Sequence, residues 1–360
     1  MLRTLTMAAA TAALLLAGGP LPVAEAGPAA PSAVAPWSAR DAAAFWTPER
    51  MAAAVLLPPD AALPAPAGPA QPQASTPGTS AAVTPPAPPH PVGGPAPAPV
   101  PAPAGTAVRA PVPARLPVAG PGVGQDFGGI PVVGRMFVMK GAGAYFCTAS
   151  VVSSPRRNLV LSAGHCLLGS DARQVAFVPR YTRAKPRPYG LFPVLRNSAG
   201  RAKVWIDPRY VSRGADRAAT LDVAFAQVGP NAAGSPVEAV VGGNRLVTGA
   251  AYAHARVTLI GHPSSAARPR VCVNRTTRFT STDPKIPGSF LRIHCTGYPG
   301  GTSGGPFLTR YDARTGTGDV IGVIGGWKTG GDTADTSYSS YFGADVRKLY
   351  EKAVAGARTG

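Results

Sequence analysis

The 360-residue chain carries 35 Lys+Arg against 17 Asp+Glu, a formal charge of +18, with 43 Gly, 42 Pro and four Cys. That length accommodates a two-part globular domain plus additional segments. So basic a chain attracts polyanions, but its arginines are scattered and form no basic helix or aromatic-interleaved patch, so nucleic acid is not an expected partner.

Residues 1–26 begin with Arg3, continue through an apolar run from Leu5 to Ala17, break at Gly18, Gly19 and Pro20, and end in Ala24-Glu25-Ala26. A charged start, a short apolar core and a small-x-small ending predict a cleaved signal peptide and a secreted protein. The apolar run is too short to span a bilayer, so no transmembrane segment is expected in the mature protein. Residues 27–57 read as a leader or pro-segment with one helix, Pro48 to Leu56, for which Thr47 is the N-cap and Pro48 the first helical residue. Phe45, Trp46, Met51 and Val55 are its apolar contacts. Residues 58–118 form a linker: 20 of the 60 residues from Pro58 to Pro117 are proline, mixed with Ala, Gly, Ser and Thr. Such a tract cannot bury a core and predicts a disordered, extended spacer.

Residues 119–360 hold all four cysteines, 30 Lys+Arg and 13 Asp+Glu, and so +17 of the charge. An anionic polymer of the cell envelope is the partner such a surface would meet. Short β-rich runs follow one another: Val132 to Lys140, Tyr145 to Val152, Asn158 to Ser162, Gln174 to Val178, Leu221 to Gln227 and Arg256 to Ile260. Arg270 to Val273, Leu291 to His294, Val320 to Gly325 and Tyr338 to Phe342 continue the pattern. Many short strands without intervening helical patterns predict an all-β fold of antiparallel barrels or a sandwich. Only Ala344 to Ala355 reads as a helix, with Val346, Leu349, Tyr350 and Ala353 on the face expected to dock against a barrel.

Four cysteines in a secreted chain allow three connectivities. The sequence-adjacent pairing, Cys147 with Cys166 and Cys272 with Cys295, is the expectation. Zinc is the rival reading, and without Cys-x-x-Cys or paired histidines at ligand spacing no metal is expected.

Three stretches carry chemistry. In Gly300-Gly301-Thr302-Ser303-Gly304-Gly305-Pro306 the glycines permit a tight turn that projects a serine hydroxyl while the amides of Gly301 and Ser303 converge on one point. Taken alone, this could be a glycine-rich surface loop. In Leu161-Ser162-Ala163-Gly164-His165-Cys166 a bridge at Cys166 would pin the backbone beside His165, which suits a general base and equally a structural loop histidine. In Leu221-Asp222-Val223-Ala224-Phe225 a carboxylate opening an apolar strand is costly to bury without a partner; a buried imidazole N–H would satisfy it, and an exposed strand-edge aspartate would need none.

With these motifs in the order His165, Asp222, Ser303, the chain resembles the secreted chymotrypsin-fold serine proteases, in particular the bacterial and actinobacterial branch that includes glutamyl-endopeptidase-like enzymes. Phe177-Val178-Pro179, Pro188-Tyr189-Gly190, Gly261-His262-Pro263 and Gly322-Val323-Ile324-Gly325-Gly326-Trp327 are further matches, and Phe45-Trp46-Thr47-Pro48-Glu49-Arg50-Met51 resembles pre-domain segments of actinobacterial members. The resemblance implies two six-stranded antiparallel barrels, over about 125–230 and 236–343, with a C-terminal helix over 344–355. It implies a monomeric, cofactor-free endopeptidase acting on proteins or peptides. Ser303 would be the nucleophile, His165 the base, Asp222 the orienting acid, and Gly301 and Ser303 the oxyanion donors, with turnover through an acyl-enzyme.

Departures narrow the expectations. Thr302 stands where animal enzymes carry the aspartate that receives a freshly cut N-terminus. Gly297 stands where trypsin-like members carry an acidic anchor, and Ile324 where glutamyl-specific members carry histidine. With Trp327 nearby, the implied substrate pocket suits small or apolar side chains. His262 and His294 are alternative bases outside the cysteine-pinned pattern, while His254 has no special context and His90 lies in the spacer. A protease-shaped, non-catalytic adhesion protein of the cell envelope is the competing function. Ester hydrolysis on an α/β-hydrolase fold is disfavoured because alternating strands and helices are missing.

Overall fold

A computed structural model describes residues 37–56, 116–117, 120–169 and 173–358. The predicted signal peptide, and the spacer apart from Leu116 and Pro117, lie outside the described residues.

In chain order the strands are β1 (Val55–Leu56), β2 (Gln125–Asp126), β3 (Val133–Lys140), β4 (Gly143–Val152), β5 (Leu159–Ser162), β6 (Arg173–Pro179), β7 (Phe192–Pro193), β8 (Val204–Ile206) and β9 (Ala224–Gln227). They continue as β10 (Arg245–Leu246), β11 (His254–Gly261), β12 (Arg270–Thr280), β13 (Ser289–His294), β14 (Pro306–Asp312), β15 (Thr317–Val323) and β16 (Thr336–Ser340). The helices are α1 (Ala39–Phe45), α2 (Pro48–Ala53), α3 (Gly164–Leu167), α4 (Pro208–Arg217), α5 (Val237–Val241) and α6 (Ala344–Arg358).

Two curled, almost wholly antiparallel sheets result. The first runs β7-β6-β3-β4-β5-β9-β8 with β1 beside β4; the second runs β10-β15-β14-β11-β12-β13-β16 with β2 beside β12. Each therefore has eight strands, six longer ones as the resemblance implies plus two of two residues each. The two parallel pairings, β1 with β4 and β10 with β15, both involve these short additions.

Burial explains the layout. Every residue of β5, Leu-Val-Leu-Ser, is buried, and β3 and β4 are nearly so, which suits strands covered on both faces. One apolar cluster draws Phe225 and Leu161 from the first sheet, Leu308 and Val323 from the second, and Val346, Leu349 and Ala353 from α6. The face predicted for the terminal helix is the one that docks, with the Tyr350 ring 5.6 Å from that of Phe225. The two disulfides are Cys147–Cys166 and Cys272–Cys295, closing separations of 19 and 23 residues. In the chain-entropy account each contributes roughly 3 kcal/mol.

Three local readings need correction. The leader helix stops at Ala53 because Ala54 turns extended and Val55–Leu56 pair with Tyr145 and Phe146 of β4. The run from Leu221 does not begin as a strand: Ala219–Leu221 wind into a 3₁₀ turn, Asp222 ends that turn, and β9 starts at Ala224. Helix α4 has no counterpart among the predicted elements because it is polar, burying only Tyr210; local chemistry starts it, with Asp207 as N-cap and Pro208 in the first turn.

The leader is part of the folded body. Ala42, Trp46 and Met51 are fully buried with Phe137, Phe146 and Tyr181. The Trp46 ring lies 5.2 Å from that of Phe137, and its indole N–H donates to the Gln174 carbonyl. Among the described residues no helix is long and apolar enough to cross a membrane.

Candidate active site

Asp222 is 1 % exposed and its carboxylate is fully engaged. Oδ1 accepts the backbone N–H of His165 at 2.8 Å; Oδ2 lies 2.9 Å from His165 Nδ1 and accepts the Gly326 N–H at 2.8 Å. The first of these bonds caps α3, whose N-cap Ala163 has no side chain to do so. Burial pushes the Asp222 carboxyl up, but the charge and hydrogen bonds of His165 and the Gly326 amide outweigh it and hold the group below the usual carboxylate range. Glycine is required at 325, since a Cβ there would sit 2.9 Å from Asp222 Oδ2.

His165 shares a cleft between the sheets with Ser303, Gly301 and the Cys147 end of the first disulfide. Among the described residues, Ser303 Oγ makes no hydrogen bond. In an unliganded protein such contacts are commonly long and tighten with substrate. The turn around Ser303 is held from several sides. Thr148 N–H donates to the Ser303 carbonyl at 2.8 Å, Gly304 N–H to Ile324 O at 2.7 Å, and Ile324 N–H to Gly305 O at 2.8 Å. Gly304, at φ +79°, has no room for a side chain, since a Cβ would lie 2.2 Å from the Thr148 carbonyl.

Thr148 is a residue that sequence reasoning missed. Its hydroxyl donates to Gly301 O at 3.1 Å and accepts from His262 N–H at 2.8 Å, while its carbonyl accepts from Ser162 Oγ at 2.9 Å. Ser264 is a second, because its N–H donates to Gly300 O at 2.9 Å. The C=O and N–H of one trans peptide point in opposite directions. Anchoring Gly300 O on Ser264 therefore directs the Gly301 N–H the other way, away from Ser264.

The remaining predicted residues are placed as follows. Ile324 lines the cleft together with Tyr298, Thr329, Gly330, Gly331 and Thr333. Gly297 and Trp327 lie outside that lining. Arg270, paired with Asp126 at 2.8 Å, donates to Gly297 O, while Trp327 packs edge-on against Phe279 and tilted against Tyr338. His262 is buried beneath the Ser303 turn, with neither ring nitrogen bonded. Burial, reinforced by the charge of Arg135, holds its imidazole well below the ordinary value. His294 lies at the end of β13, which runs between β12 and β16, with its ring against Thr336, and His254 bonds the Ala251 carbonyl. The sulfurs of Cys147 and Cys166 lie near a His165 nitrogen, but both are consumed in the disulfide.

Residues 147–323 match the trypsin-like peptidase domain family. A comparison with curated protein sequences finds no match. Among solved structures, the chain is similar to the protease Anisep of Arthrobacter nicotinovorans at 23 % identity and TM-score 0.53, covering 64 % of this chain and 99 % of that one. It is similar also to the thermostable serine protease AL20 from an extremophilic microorganism, at 23 % identity and TM-score 0.51, covering 64 % of this chain and 98 % of that one. At such identities the structural likeness is one of fold. The trypsin-like domain match over 147–323 and the shared fold together support a serine-type endopeptidase of the chymotrypsin-fold, trypsin-like kind.

Proposed function

We propose that Ser303, His165 and Asp222 form the catalytic triad of a secreted endopeptidase that cleaves protein or peptide substrates through an acyl-enzyme. One observation carries the assignment: a buried carboxylate accepts both the backbone and the side-chain N–H of His165, in the cleft that Ser303 lines. Asp222 Oδ2 takes the Nδ1 proton, which leaves the Nε2 lone pair as the base. The bond also orients the ring and stabilises the imidazolium formed when Ser303 Oγ gives up its proton on attacking the carbonyl. His165 then returns that proton to the leaving amine, and water repeats the sequence on the ester.

The Gly301 and Ser303 amides are assigned to the developing oxyanion. A well-placed donor of this kind contributes about 3–4 kcal/mol in related chemistry. Ile324 and the Thr329–Gly331 turn bound an uncharged recess, and the open volume of the whole cleft is about 170 Å³. That space suits a small or apolar side chain on the acyl side of the cut. Secretion is supported by the composition of residues 1–26 and by the two disulfides. The net charge of the folded part supports retention on an anionic envelope polymer, with the protein itself monomeric.

The test is labelling of the secreted protein with a fluorophosphonate and intact-mass analysis. A single adduct on Ser303, lost in His165→Ala, is expected; a folded, bridged protein that takes no label would refute the assignment.

A further inference from the structure

The leader ends against the catalytic cleft. Strand β4 pairs with β3 along residues 143–150 and with β5 only at Ser150–Val152, so the second edge of Tyr145 and Phe146 is open to another chain. Val55 and Leu56 take that edge. Leu56 also lines the cleft with His165 and Ser303, and a Cβ on Gly300 would lie 3.1 Å from one of its methyl groups.

The chemistry identifies which half of the cleft this is. A histidine that takes the serine proton must hand it to the leaving group, so the leaving half of a substrate lies on the imidazole side of the nucleophile. The edge that Leu56 occupies adjoins Cys147, whose sulfur lies within 4.8 Å of both Cys166 Sγ and a ring nitrogen of His165. An open strand edge beside a cleft is also the usual place for an extended peptide to add by backbone pairing.

We infer that Val55–Leu56 occupies the ground of the leaving-group half of a polypeptide. With its leader docked, the protein therefore accepts acyl donors with small leaving groups and excludes extended polypeptides. Fully buried Trp46 and Met51 hold the segment in place, so release requires extracting them from the first sheet. The inference rests on the peptidase assignment to Ser303 and makes the leader a determinant of substrate class at that site.

The experiment compares the full secreted chain with its Trp46→Ala/Met51→Ala and Leu56→Asp variants on two substrates, denatured casein and the p-nitrophenyl ester of a blocked alanine. The readout is the ratio of casein to ester kcat/KM. It is expected to rise at least tenfold in both variants. Leu56→Asp alters a surface-edge residue, so the comparison survives if the double variant fails to fold. Ester turnover in all forms with an unchanged ratio would overturn the leader inference alone. Absence of ester turnover in every folded form would overturn the triad assignment, and the inference with it.

Discussion

The Asp222 carboxylate holds His165 at two points, accepting its backbone N–H at 2.8 Å and lying 2.9 Å from its ring Nδ1. One residue thus sets both the position of α3 and the tautomer of the imidazole that α3 carries. Asp222→Asn can keep the geometry, but its amide offers the ring a donor where an acceptor is needed. A fall in kcat of about 10⁴-fold is expected from the wrong tautomer. Steady-state ester hydrolysis with circular dichroism as the fold control checks it; a loss of less than tenfold would contradict the role.

Thr148 links the two sheets at the turn that carries Gly301 and Ser303. Thr148→Val keeps the shape but removes the donor to Gly301 O and leaves the buried His262 N–H unpaired. The unpaired group costs about 1–3 kcal/mol of stability. A tenfold or greater loss of fluorophosphonate labelling at Ser303 is expected as the Gly301 amide wanders, measured beside urea unfolding.

No new N-terminus is expected to be needed to shape the proposed oxyanion site. Thr302, immediately before Ser303, donates its hydroxyl to Pro299 O at 2.8 Å, and Ser264 holds Gly300 O. The uncleaved chain and one beginning at Gly120 are expected to label at Ser303 with a small fluorophosphonate at equal rates. A chain that labels only after trimming would show that an N-terminal switch operates.

Ile324 closes one wall of the recess. Against a blocked ester series, alanine or valine at the cut is expected to exceed phenylalanine, and Ile324→Ala to narrow that gap by 10-fold or more, in line with about 1–3 kcal/mol per altered methylene contact. The same substitution empties a buried site and lowers stability by about 2–5 kcal/mol, so kcat/KM ratios rather than absolute rates are the measure.

His262 makes stability depend on pH. Its imidazole is held well below the ordinary value when folded, whereas the unfolded chain takes up the proton near pH 6.5. The unfolded state therefore binds more protons below that point, and the contribution is fully present above about pH 6.5 and lost as pH falls below it, by up to about 1.4 kcal/mol per pH unit. Urea midpoints at pH 7 and pH 5 should differ in the wild type and converge in His262→Leu; parallel shifts in both would exclude His262 as the source.

Much of this was legible in local sequence. Continuous apolar runs such as Leu159–Leu161 predict covered strands, because backbone polar groups in a buried segment must pair in a ladder. The face of α6 follows from its spacing. Asp222 stood out because a carboxylate amid apolar residues needs a partner, although the 3₁₀ turn that presents it was not visible. Helix α4 escaped because a polar surface helix has no apolar stripe to read.

Local sequence limited the fold to an all-β one of antiparallel barrels or a sandwich, made the sequence-adjacent bridges the expectation among three connectivities, and singled out His165, Asp222 and Ser303, each within a short motif, while the two-barrel form followed from the resemblance. Contacts between distant segments add that Thr148 and Ser264 hold the turn leading to Ser303, that the Gly297 carbonyl faces Arg270, and that Leu56 shares the cleft with Ser303. Those contacts join groups from about 30 to 250 residues apart, and a hydrogen bond or packing contact depends on where atoms meet in space, information that no local pattern of residue types contains.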